Sequence, residues 1–194
     1  MIQRPSIAET AGQLYLGWRL LWLNRKALAS FGRTEEAFWK SFWCAAFVLP
    51  LHVLRLTFGQ EYYRPDIEWS LFWAVTVESL IYLISWIIWP VVIAPICRLM
   101  NQSQQFIPYI CALNWNNGVF YLLLTPLILL EAAGLIAHDL YQTLLFGFFF
   151  WKIGLHIFIV TTLLKQLVPT AILIVLGNVI LVLTVAATRQ AILH

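Results

Sequence analysis

Lys152 and His156 stand four residues apart in FFFWKIGLHIF, residues 148–158, within an otherwise apolar run. On a helix that spacing is about one turn, so the ammonium and the imidazole share a face. Charge inside hydrocarbon is expensive, and intramembrane ionisable groups normally turn inward and find partners there. Glu78, in WAVTVESLIYLISWIIWP, falls at similar depth with the opposite sign. Asn114 and Asn117 of NWNNG, and Asn178 beside Gly177, bring amides to nearly the same level. The expected site is therefore an intramembrane polar cluster of Glu78, Lys152, His156, Asn117 and Asn178, with Asn114 at its cytoplasmic edge.

Two kinds of chemistry fit such a cluster. In the first it is structural: Glu78 pairs with Lys152, the amides hydrogen-bond between helices, and each bond contributes ~1 kcal/mol. A neutralised pair needs no further role, which favours this reading. In the second, Glu78, Lys152 and His156 bind or pass a proton, an ion or a small solute. A histidine beside a buried carboxylate would also suit pH sensing. NWNNG adds to the second reading, because three Asn and a Gly weaken a continuous helix. Unwound backbone at membrane depth lines a cavity or is buried in protein. Broken helices mark many transporter sites, although they usually come in pairs and only one is evident here.

The elements that must hold these residues are apolar runs. Of 194 residues, 61% are hydrophobic and 11% charged, against roughly a quarter charged in a soluble domain. Ten Trp and seven Tyr suit a chain with two membrane–water interfaces. A spanning helix needs about 20 apolar residues, and the segments near 38–58, 69–95, 107–131, 140–164 and 167–187 meet that need. A tight turn around Lys165, Gln166 and Pro169 separates the last two.

Residues 1–37 are different. Ser6-Ile7-Ala8-Glu9 is a capping box. It opens a run with Ile7, Ala11, Leu14, Tyr15, Trp18, Leu21 and Trp22 at helical spacing, broken by Glu9, Gln13, Asn24 and Lys26. The segment is too polar to span and is expected to lie in the interface or against the bundle. Arg19 interrupts LYLGWRLLWL and no small-residue cleavage site follows, so no cleavable signal is expected. Thr34 can cap the next helix, with Glu35 and Glu36 at its positive end.

Basic residues set the orientation. With the N-terminus inside, Arg4, Arg19, Arg25, Lys26, Arg33, Lys40, Arg98 and Lys165 are cytoplasmic, and only Arg55, Arg64 and Arg189 are external. The loop at 59–68 is then external and the one at 99–106 cytoplasmic. His52 and Arg55 are expected to reach the external interface, and Glu131 and Asp139 to be solvated there.

Other chemistry is not expected. Cys44, Cys97 and Cys111 match no zinc or redox spacing and read as small buried hydrophobes. His52 and His156 sit at different depths, which opposes a bis-His haem, and His138 belongs to the external surface. Ser41, Ser79 and Ser85 lack the setting of a hydrolase nucleophile. No cofactor or metal is expected, and a net charge of +3 gives no dense stripe for nucleic acid.

FGRTEEAFWKSFWCAAFVLP, residues 31–50, resembles small inner-membrane proteins of alphaproteobacteria in which an aromatic and basic stretch leads into the first span. Those are distantly similar to the Yip family, five-span proteins with a cytoplasmic N-terminus, and the resemblance implies that topology. The family's Asp-Leu-Tyr-Gly-Pro hallmark is absent, since Asp139-Leu140-Tyr141 continues into Gln142 on the external side. No site residue carries over.

The sequence thus predicts an all-α polytopic membrane bundle: an N-terminal amphipathic interfacial helix within 1–37 and a five-span domain over 38–194. The expected role is non-enzymatic, a structural or accessory component of a bacterial inner membrane, alone or in a larger complex. The alternative is a small transporter or channel using the polar cluster. The expected partners are the lipid bilayer and other membrane subunits or a second copy, with no nucleic acid.

Overall fold

A computed structural model describes residues 4–58 and 71–193. Seven α-helices follow in order: α1 Ile7–Leu20, α2 Arg25–Ala29, α3 Glu35–Phe58, α4 Leu71–Leu99, α5 Phe106–Ala132, α6 His138–Leu163 and α7 Val168–Leu193. No strand occurs among the described residues. With a short 3-10 turn at Ser103–Gln105 leading into α5, the described residues hold five stretches long and apolar enough to cross a membrane: Glu35–Leu56, Val75–Leu99, Ser103–Ala132, His138–Leu163 and Val168–Ile192. The protein is a multi-pass all-α membrane bundle. The external loop expected at 59–68 lies outside the described residues.

Helix ends follow local chemistry. Ser6 Oγ accepts from Glu9 N at 3.1 Å while Glu9 Oε2 accepts from Ser6 N at 2.7 Å, completing the capping box of α1. Thr34 Oγ1 accepts from Ala37 N at 3.2 Å at the start of α3. Lys165 turns the chain between α6 and α7 at φ 51°, a left-handed conformation unusual for a side-chain-bearing residue. α4 runs through Pro90 and Pro95, and α5 through Pro126, without ending. Such prolines are tolerated in membrane helices because neighbouring groups satisfy the freed carbonyls.

α5 is the hub, packed by α1, α3, α4 and α6, while α7 closes against α4 and α6. Two glycines set the closest approaches. A Cβ on Gly17 would meet Trp115 O at 3.1 Å and Val119 Cγ2 at 3.0 Å. A Cβ on Gly118 would collide with Cys44 Sγ and meet Leu14 Cδ2 at 3.4 Å. In hydrocarbon, where dispersion rather than water drives helix association, small residues at such crossings let backbones close up. Leu14 and Gly17 thereby reach the middle of α5, so α1 packs against the bundle. Lys40 Nζ fastens its start, 2.8 Å from both Glu9 Oε1 and Glu36 Oε1. Cys44, Cys97 and Cys111 are buried and free. Exposed apolar stripes such as Leu80, Leu83, Ile87 and Val91 on α4 face outward, where lipid takes them.

Candidate functional site

Helices α4 to α7 enclose a cavity of about 200 Å³ near their mid-length. α6 contributes Lys152, His156 and Ile159; α5 contributes Ile110, Leu113, Asn114, Asn116, Asn117 and Tyr121. α7 adds Asn178 and Val182, and α4 adds Ser85, Trp86, Trp89 and Pro90. The one-turn spacing of Lys152 and His156 does place both on the cavity wall. Of the six residues expected to cluster, five line this space, and no Asp or Glu does.

His156 is anchored on the wall. Trp89 Nε1 donates to Tyr109 Oη at 3.0 Å, and Tyr109 Oη lies 2.6 Å from His156 Nε2. An indole N–H only donates, so the tyrosine oxygen accepts from Trp89 and its own proton is free to go to Nε2. A neutral imidazole whose Nε2 carries no proton accepts that hydrogen bond. The Tyr109 ring stacks on the imidazole at a centroid distance of 5.9 Å, and Trp89 meets it edge-on at 6.0 Å.

Lys152 has a different situation. Its Nζ lies 5.7 Å from the Phe120 ring centroid, a cation–π contact. Among the described residues its ammonium has no hydrogen-bond or ion-pair partner, and the residue remains exposed. Asn117 and Asn178 are half-buried on the wall, and their amides also lack a protein partner among the described residues.

The expected Glu78–Lys152 pair does not form. Glu78 Oε1 instead accepts from Arg189 Nε at 2.7 Å, with the two side chains 10% and 18% exposed. The physical reason is the length of α7. It stays helical to Leu193, beyond the span expected to end at 187, and brings Arg189 level with Glu78 near the start of α4. Glu78 is about 10 Å along α4 from Ser85, the nearest wall residue on that helix. It is therefore removed from the cluster. The pair ties α4 to α7 and leaves Lys152 to the cavity.

Three further expectations change. NWNNG does not break α5, which is continuous from Phe106 to Ala132. Its amides find partners outside their own helix: Asn114 Nδ2 donates to Ser41 Oγ of α3 at 2.9 Å, and Asn116 Nδ2 makes a long 3.5 Å contact with Gly17 O of α1. His52 does not reach the surface. It continues the buried stripe of Cys44 and Val48, stacks 4.6 Å from Tyr82, and leaves both ring nitrogens without a partner among the described residues. Glu131 is largely covered, 12% exposed, because His138 Nδ1 folds onto it at 3.2 Å.

Sequence reasoning missed Trp89, Tyr109, Tyr121, Ser85 and Asn116 on or behind the wall. A signal existed for the first two. Buried Trp and Tyr away from an interface must find a partner for their polar ends, and His156 was the polar group within reach. Arg189 was hidden by the assumption that the chain left the membrane at 187.

Comparison of the chain with protein-family models, with curated proteins and with solved structures finds no match.

Proposed function

We propose that the protein is a small membrane carrier or channel that binds and passes a small solute or ion through the α4–α7 cavity. One observation carries the reading: Lys152 lines an amide-rich cavity from which every described carboxylate is missing. The structural role that Glu78 and Lys152 would have shared falls to Glu78 and Arg189, so the neutral-pair argument no longer covers Lys152. An uncompensated cation in hydrocarbon is costly to keep, and a group that binds there returns part of that cost. The reading is non-enzymatic. The bias of Lys and Arg toward one set of loops supports a cytoplasmic N-terminus, and the resemblance carried by residues 31–50 supports a bacterial inner membrane. Self-association or another membrane subunit would complete a path that five spans alone enclose narrowly.

The test is flux into proteoliposomes across a panel of protons, inorganic ions and small organic solutes. Lys152→Gln is expected to fold as well as the parent and to lose at least ten-fold in flux. Glu78→Gln is expected instead to lower thermal stability, since it removes the charge that Arg189 Nε faces across α4 and α7. Wild-type vesicles no leakier than empty ones across the panel, or Lys152→Gln flux equal to wild type, would overturn the proposal.

A further inference from the structure

We infer that the solute is a small carboxylate, held by Lys152 with the amides of Asn117 and Asn178; this deepens the reading above and rests on it. The wall is rich in donors. Lys152 offers three N–H groups, and the two asparagines offer two each, none of them hydrogen-bonded to a described protein group, although the ammonium also lies over the Phe120 ring. A cation would share the cavity with the like charge of Lys152, and no carboxylate among the described lining residues offsets the two. A neutral solute would leave the ammonium uncompensated in a low-dielectric space, where an ion pair with good hydrogen bonds recovers the desolvation cost.

Size narrows the class. The cavity of about 200 Å³ equals the share of six or seven waters at roughly 30 Å³ each. That leaves room for a carboxylate with one or two further carbons together with several waters. Two oxygens can accept from α6 and from an amide on α5 or α7 together. The methyl groups of Ile159 and Val182 then take the short alkyl end. His156 is held by Tyr109 on the same wall and sets the shape of the cavity beside the ammonium.

Thermal unfolding of the full chain in lipid nanodiscs tests this, because a ligand that binds only the folded state raises Tm as its concentration rises. At constant ionic strength, sodium acetate and sodium propionate are compared with sodium chloride, with acetamide as the neutral isostere, and with methylammonium chloride. Acetate or propionate is expected to raise Tm at concentrations at least ten-fold below those needed for acetamide or chloride. Lys152→Gln should abolish the shift, Lys152→Arg should keep it within a few fold, and Asn178→Leu should weaken it. A shift from acetamide or methylammonium that equals the acetate shift and is lost in Asn178→Leu overturns the carboxylate assignment and leaves the solute site standing. No shift from any of these solutes, in a protein that also shows no flux, overturns both.

Discussion

The two sides of α5 use one residue type in opposite ways. Toward α1 and α3, Asn114 and Asn116 spend their amides on Ser41 and on the carbonyl of Gly17, and Gly17 and Gly118 bring the backbones into contact. Toward α6 and α7, Asn117 shares a cavity with Lys152 and Asn178, and none of the three has a hydrogen-bond or ion-pair partner among the described residues. Polar residues within a membrane bundle are therefore poor guides to a site until their partners are known. The satisfied amides belong to the scaffold even where Asn114 and Asn116 border the cavity, and the unsatisfied ones are where a ligand has something to gain.

The contrast breaks most visibly at Gly118. Gly118→Ala drives a methyl group into Cys44 Sγ, and overpacking of this kind costs about 1–3 kcal/mol. The same substitution with Cys44→Ala should recover most of that loss, measured by unfolding in mixed micelles. A double variant no better than Gly118→Ala would mean that α3 and α5 approach differently. Ser41→Ala comes next: it strands the Asn114 amide and should cost about 1 kcal/mol. Asn117→Leu, on the opposite face, should change stability by less than that while reducing solute binding. Equal stability losses from Ser41→Ala and Asn117→Leu would erase the distinction between the faces.

The smallest effect concerns the anchor of α1. The Lys40 ammonium, and then the Ser6 N–H, hold the Glu9 carboxyl down to about 2 from its ordinary 4.5. Because the folded-state value is depressed, the contribution is fully present above the ordinary value and is lost as pH falls through about 2. Amide exchange in the first turn of α1 should therefore quicken as pH drops from 5 to 2, after correction for intrinsic rates. Glu9→Gln should show fast exchange throughout that range. Exchange in the parent chain that does not respond to pH would place no weight on this anchor.

Much of the architecture was readable because it rests on one-dimensional patterns. Apolar runs long enough to span, a capping box at Ser6 and Glu9, and a threonine cap at Thr34 are local signals with local causes. Depth along a helix was readable too, which is why Lys152, His156, Asn117 and Asn178 could be set at one level. Rotation about the helix axis was not. Depth alone cannot tell that Glu78 turns to α7, or that His52 turns inward against Tyr82 while Arg55 stays exposed. Nor could it show that α7 continues far enough to supply Arg189. NWNNG misled for a related reason: three side-chain amides looked like competitors for their own backbone, and two of them were engaged by neighbouring helices.

The seat of α1 has a consequence for biosynthesis. Gly17 and Asn116, which meet across it, are 99 residues apart in the chain. At a synthesis rate of roughly 5–20 residues per second, α1 waits on the order of 5–20 s before α5 exists to receive it. During that interval α1 is held to α3 through Lys40 and Glu9, and lipid headgroups cover the apolar face that α5 will take. Insertion of the third span, rather than emergence of the N-terminus, then sets the moment at which this helix docks.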